Sequence, residues 1–224
     1  MPDQNRYGCG WDVTDMQARN YLAIAEHARV LNGEVDVVTH SYGSLIFQAM
    51  QRMVAAKDGK TFEGSRVAIM APAGSNANEN PLSFARRCAT HWVAEMLADK
   101  NFPDADGVMQ KAALGNVLAG KRRAILEVAA VLTNRVDYDE LAESGIDRVI
   151  VLGYAQDGLF PHRVLDAAMA AVLEKHDNLS YATPYAAHSR GDGTWLGGRD
   201  ATHNDEQSNP TRAAGSVSEF LLAV

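Results

Sequence analysis

The chain has 224 residues, of which 46% are hydrophobic and 22% charged, and its formal net charge is −7. This length suits one globular domain with a substantial core. The acidic balance argues against nucleic-acid partners, which usually require a basic patch. No apolar run reaches the roughly 18 residues of a membrane span, and the first residues lack a signal-peptide pattern. Two cysteines, Cys9 and Cys88, suit neither a disulfide framework nor a zinc site, so we expect a reducing compartment, the cytoplasm.

Apolar periodicity predicts alternating helices and strands in chain order. The capping-box pattern from Thr14 to Gln17 predicts the start of a first helix, which Asn32 and Gly33 would end. Short apolar strands are expected at residues 35–39, 66–71, 146–153 and 178–183, and further helices at 43–56 and 161–176. Strands separated by helices predict an α/β fold, a mostly parallel sheet with helices on both faces.

One long stretch interrupts this alternation. Residues 75–144 contain no convincing strand, only helical patterns at 84–97, 107–118, 123–132 and 138–143. Such an insertion between two core strands predicts a helical cap over the carboxyl ends of the strands, where open α/β sheets bind ligands. Helices that only stabilise the fold are the alternative. The expected division is core sheet at 1–74, cap at 75–144 and core sheet again at 145–224, with a long surface loop at 189–209.

The segment Thr39-His-Ser-Tyr-Gly43 lies between a predicted strand and a predicted helix. It resembles the G-x-S-x-G nucleophile elbow of the α/β-hydrolase family, with threonine in place of the first glycine. Gly43 supplies one of the small neighbours that a crowded turn needs. The resemblance implies that Ser41 is a nucleophile. The alternative is a serine that merely caps the following helix.

The resemblance also implies an acid and a base, in that order after the serine and each following a strand. The segment Tyr-Ala-Gln-Asp-Gly-Leu-Phe-Pro, which contains Asp157, resembles the family's acid loop. The alternative is that Asp157 is part of an ordinary Asp-Gly turn. His188 follows the last predicted strand and is the expected base, with His203 as its rival. His40, beside the serine, is expected to line the substrate pocket.

An oxyanion hole needs two donors. The family pattern implies the backbone N–H of Tyr42 as one of them, and the other normally comes from a loop before the elbow. The first residues resemble the family's P-D-x-x-G-x-G-x-S segment. Gly8 stands at its second glycine, whereas Arg6 and Gly10 stand where the family has glycine and serine. The resemblance therefore covers only the latter part of the fold. The chain is then either an N-terminal truncation or a reduced protein that buries its exposed sheet edge in some other way. For a truncation we expect self-association through that edge, slow turnover, and an upstream extension that supplies the earlier strands.

Together these patterns predict a serine hydrolase that cleaves an ester or related acyl bond of a small molecule through Ser41, His188 and Asp157. Neither a metal nor an organic cofactor is implied. Trp92, Met96 and Met109 in the predicted cap favour an apolar substrate group, although they could simply be core residues. The same triad serves acyltransferases and C–C hydrolases. A truncated, non-catalytic remnant acting as a binding module is the alternative from another class.

Overall fold

The computed structural model describes residues 10–28, 35–58, 62–74, 80–87, 90, 115–116, 119–154, 157, 159–182 and 210–222. Four strands are formed, namely β1 (Val37–His40), β2 (Arg66–Met70), β3 (Arg148–Leu152) and β4 (Leu179–Ala182). The helices of the described part are α1 (Gly10–His27), α2 (Gly43–Asp58), α3 (Pro81–Arg87), α4 (Arg122–Thr133), α5 (Tyr138–Ala142), α6 (His162–Leu173) and α7 (Pro210–Leu222). None of these helices is long and apolar enough to cross a membrane.

The four strands form one sheet in the order β1-β2-β3-β4, and every neighbouring pair is parallel. Val37 is in register with Val67, and Val149 with both Val67 and Leu179. All four carboxyl ends therefore lie along one edge of the sheet. The predicted α/β class and parallel sheet are confirmed, and each strand lies inside or within one residue of its expected range.

Helices cover both faces of the sheet because alternate strand residues point to opposite sides. On one face, Val67, Ile69, Val149 and Val151 join the main core, to which α2, α5 and α6 contribute. On the other face a smaller cluster forms around α7, which contributes Val217 and is packed against strand residues; these are Ala68, Met70 and Leu152. The predicted two-sided covering is thus present.

The start of α1 differs from the prediction. The helix begins at Gly10, so Thr14 lies inside it rather than capping it, and the side chain of Thr14 is fully buried. Its hydroxyl lies 2.8 Å from the Tyr42 hydroxyl. A tertiary contact, not a capping role, therefore accounts for this threonine.

The last helix, α7, was not predicted at all. Its described apolar residues Val217, Phe220 and Leu221 follow helical spacing and pack on the second face of the sheet. Their i, i+3, i+4 pattern was the available signal. Gly215 and Ser216, which favour a break, obscured it.

Two helices of the predicted cap region contact the rest of the protein directly. Glu127 of α4 accepts a hydrogen bond of 2.8 Å from Gln17 of α1. Helix α5 places Tyr138 and Leu141 in the main core. The division of the chain into core and cap remains a prediction, and most of the segment between α3 and α4 lies outside the described residues.

The first strand is the outer strand of the described sheet, and its outer side is partly apolar. Val38 is 51% exposed, and Tyr21 on α1 is 54% exposed. A groove of about 310 Å³ runs between β1 and α2; the residues that line it are Tyr21, Val37, Val38, Thr39, His40, Gly43, Ile46, Phe47, Met50 and Phe62. An unpaired edge with apolar side chains can pair with another chain.

We therefore expect Val38→Lys to reduce self-association, because a charge on an edge strand discourages strand pairing. The measurement is light scattering after size exclusion across a range of concentrations. Val164→Lys is the matched control, since Val164 is an exposed valine on α6 rather than on the strand edge. A parent chain that stays monomeric at every concentration, or an equal effect of both lysines, would contradict this expectation.

Candidate active site

The turn between β1 and α2 holds Ser41 in the left-handed region, with φ at 51°. Residues other than glycine rarely adopt this backbone conformation, which costs them roughly 1–2 kcal/mol. Its N–H still donates to the Met70 carbonyl at 3.0 Å, so the sheet pairing extends one residue beyond β1. Ser41 is thus the residue at which the chain turns abruptly from strand to helix.

The carbonyl oxygen of Ser41 receives three hydrogen bonds from the part of the chain that the structure describes. The donors are the Ser44 N–H at 3.1 Å, the Ser44 hydroxyl at 2.6 Å and the Ala73 N–H at 3.2 Å. In a trans peptide the next N–H, that of Tyr42, points away from this carbonyl. None of the described residues accepts a hydrogen bond from that N–H. The turn therefore presents a fixed N–H donor immediately after the serine.

Thr39 and Gly43, the two residues that flank the turn, leave room for a small side chain between them. A Cβ added to Gly43 would lie 3.9 Å from the Thr39 Cβ, a normal van der Waals distance. The expectation that crowding demands glycine at position 43 is therefore wrong for a group as small as a methyl. The same spacing explains how threonine can stand where the motif has its first glycine.

A second strained turn lies beside the first. After β2, Ala71 has φ at 43°, and its N–H donates to the Leu152 carbonyl at 2.9 Å. Gly74 follows with φ at 85°, and a Cβ there would lie 2.5 Å from the Asn134 carbonyl oxygen and 2.8 Å from the Arg135 Cα. This loop, residues 71–74, is buried throughout and supplies Ala73 to the Ser41 carbonyl.

The side chain of Tyr42 is half-buried between α1, α2 and the main core. Burial raises the pKa of Tyr42, and the hydrogen bond from Thr14 opposes this rise only in part. The Tyr42 hydroxyl therefore keeps its proton at neutral pH and forms a hydrogen bond between two uncharged groups with Thr14. Either hydroxyl can be the donor in this pair.

Asp157 lies five residues beyond β3 and is only 4% exposed. Its Oδ1 accepts hydrogen bonds of 2.8 Å from the N–H groups of Leu159 and Phe160, and its own N–H donates to the Tyr154 carbonyl at 3.1 Å. Backbone donors thus hold the carboxylate in one orientation at the edge of the sheet that also carries Ser41.

The other expected site residues divide into two groups. His40 lines the groove beside β1. The remaining ones, His188, His203, Trp92, Met96 and Met109, lie outside the described residues. Sequence reasoning missed Thr14, Ser44 and the loop after β2, all of which contact the turn. The run of small residues Ala71-Pro-Ala-Gly74 was the signal for a close backbone approach there.

Neither a protein-family model nor a curated protein sequence matches the chain. Solved structures do. The chain resembles MGS-M2, an α/β-hydrolase enzyme from a Medee basin deep-sea metagenome library, with a TM-score of 0.54 and 15% identity over 93% of this chain and 71% of that one. It resembles the esterase RhEst1 from Rhodococcus sp. ECU1013 with a TM-score of 0.54 and 18% identity over 92% and 71%. It also resembles a thermophilic esterase from Thermogutta terrifontis, with a TM-score of 0.51 and 12% identity over 93% of this chain and 72% of that one. The chain has the α/β-hydrolase fold.

The strain at Ser41 predicts an unusual order of stabilities. Ser41→Gly should be more stable than Ser41→Ala by about 1 kcal/mol, because glycine adopts the left-handed region without steric cost. Urea unfolding of the two variants measures the difference. At Ser218, an exposed residue inside α7, the order should reverse, because glycine weakens a helix interior. An alanine variant at position 41 as stable as the glycine variant would refute the strain.

Proposed function

We propose that the protein is a serine-dependent hydrolase acting on an ester or related acyl bond, with Ser41 as nucleophile. One observation carries the proposal, namely a serine with φ at 51° between a parallel strand and a helix in an α/β-hydrolase fold. Strained residues of this kind cluster at active sites. A serine that merely capped α2 would not need this conformation.

The chemistry follows from the turn. The Ser41 hydroxyl attacks the substrate carbonyl carbon while the base takes its proton, which gives a tetrahedral oxyanion. The Tyr42 N–H is suited to stabilise that oxyanion, since no described residue uses it and the Ser41 carbonyl is held by three donors. Collapse of the intermediate expels the alcohol, which receives the proton from the base. Water then releases the acid by the same steps.

Asp157 and His188 are the proposed acid and base. Support for Asp157 comes from its burial and from the two backbone N–H groups on Oδ1, which orient the carboxylate. His188 follows β4, the neighbour of β3, so the two loops start side by side at the same sheet edge. Asp157 would hold the His188 ring in the tautomer that accepts the serine proton.

The ester substrate is the finer part of the proposal. Two of the structural neighbours are described as esterases. Trp92, Met96 and Met109, within the proposed cap at residues 75–144, would contact an apolar acyl or alcohol group. Transfer to an alcohol instead of water would make the protein an acyltransferase, and product analysis with and without added alcohol separates the two. The cytoplasm is the proposed location.

A fluorophosphonate should label Ser41, because an activated serine attacks phosphorus as it attacks a carbonyl. Ser41→Ala should abolish both labelling and hydrolysis of short p-nitrophenyl esters, and mass spectrometry of the labelled peptide identifies the site. Ser218→Ala, an exposed serine on α7, should label as the parent does. Labelling at another serine would refute the nucleophile, and a parent chain that is never labelled would favour a binding module.

The acid and base should behave as one unit with the serine. His188→Ala and Asp157→Asn should each lower kcat by several orders of magnitude, and the double variant should be little worse than the poorer single variant. His203→Ala is the control and should have a mild effect. Steady-state kinetics on one ester measures all four. A crippling effect of His203→Ala together with an active His188→Ala variant would reassign the base.

A further inference from the structure

The N–H donor proposed for the oxyanion belongs to a residue whose side chain is anchored far from the turn. Tyr42 reaches across to α1, where its hydroxyl meets Thr14 at 2.8 Å. The two residues are 28 positions apart in the chain, and Thr14 is fully buried. The contact therefore ties α1 to the nucleophile turn.

This anchor acts on a peptide that is already held at its other end. The Ser41 carbonyl is fixed by Ser44 and Ala73, whereas the Tyr42 N–H on the same peptide has no acceptor among the described residues. The direction of that N–H depends on rotation of the peptide about its bonds to the Cα atoms of Ser41 and Tyr42. The carbonyl bonds restrain one side, and the Tyr42 side chain restrains the Cα on the other.

Helix α1 is itself a firm support for this anchor. Ala18, one turn beyond Thr14, packs fully buried against Ile46 and Ala49 of α2. Gln17 donates to Glu127 of α4 at 2.8 Å. Helix α1 is therefore fixed to both α2 and α4 by contacts other than the Thr14 hydroxyl. Removal of that hydroxyl would release the Tyr42 ring without shifting the helix.

We propose that Thr14 is a positioning residue, whose hydroxyl acts through the Tyr42 hydroxyl to hold the Ser41–Tyr42 peptide with its N–H aimed at the oxyanion. The catalytic part rests on the proposed hydrolase function. The structural part, that Thr14 restrains the turn, does not. A donor aimed at the oxyanion stabilises the transition state more than the bound substrate, so its loss lowers kcat and leaves KM nearly unchanged.

Thr14→Val removes the hydroxyl and keeps the shape. It should lower kcat about tenfold with KM within about twofold of the parent, because a hydrogen bond of ordinary strength is lost. Thr14→Ser should restore most of kcat. Thr14→Val combined with Tyr42→Phe should be no worse than the poorer single variant, since both substitutions remove the bond between the Thr14 and Tyr42 hydroxyls. Thr133→Val is the matched control, because the Thr133 hydroxyl donates to the Ala129 carbonyl of its own helix and joins no other element of the described chain.

Hydrogen exchange separates this inference from the hydrolase proposal. In Thr14→Val, amides of residues 41–46 should exchange about fivefold faster, while those of β3 remain as in the parent. A parent chain without labelling or turnover would refute the hydrolase, and faster exchange at the turn would still support the role of Thr14. The inference is overturned if exchange at the turn is unchanged, if exchange rises equally in β3, if kcat stays within twofold in an active parent, or if the Thr14 and Tyr42 losses add.

Discussion

Three hydrogen bonds to one carbonyl oxygen, that of Ser41, hold the conformation on which the candidate site depends. A left-handed serine is unfavourable by roughly 1–2 kcal/mol, and each hydrogen bond contributes about 1 kcal/mol net. Together the three bonds can therefore offset the strain. Two come from Ser44 at the start of α2 and one from Ala73 in the loop after β2. The turn is thus stable only as part of the assembled sheet.

Backbone hydrogen bonds also hold the proposed acid, Asp157. Oδ1 of Asp157 accepts hydrogen bonds from two backbone N–H groups of its own loop. Any substitution of Leu159 or Phe160 other than proline keeps these N–H donors, because they belong to the main chain. Ser41, the Tyr42 N–H and Asp157 therefore lie at one edge of a parallel sheet, where backbone hydrogen bonds restrain Ser41 and Asp157.

The sequence could predict what depends on local pattern. Strand and helix alternation, the parallel sheet and the turn at Ser41 follow from apolar periodicity and a short motif. Thr14 could not be predicted, because a capping-box pattern and a buried threonine look alike until α1 is placed against Tyr42. The small residues at 71–74 signal a close approach there but not its partner, because nothing local shows that a Cβ added to Gly74 would meet the backbone of residues 134 and 135. Both contacts join segments far apart in the chain, and apolar periodicity predicts local structure but not such contacts.

Helix α7 has a consequence for the order in which the protein assembles. It covers the second face of the sheet, and the Leu221 carbonyl accepts from the Arg66 guanidinium, 155 residues earlier in the chain. During synthesis, β2 and β3 leave the ribosome long before the helix that shields Ala68, Met70 and Leu152. That apolar face stays exposed to solvent and prone to association for the whole interval, which lasts many seconds at a synthesis rate of about 5–20 residues per second. A chaperone that binds apolar strands has its natural opportunity there, before the final helix closes it.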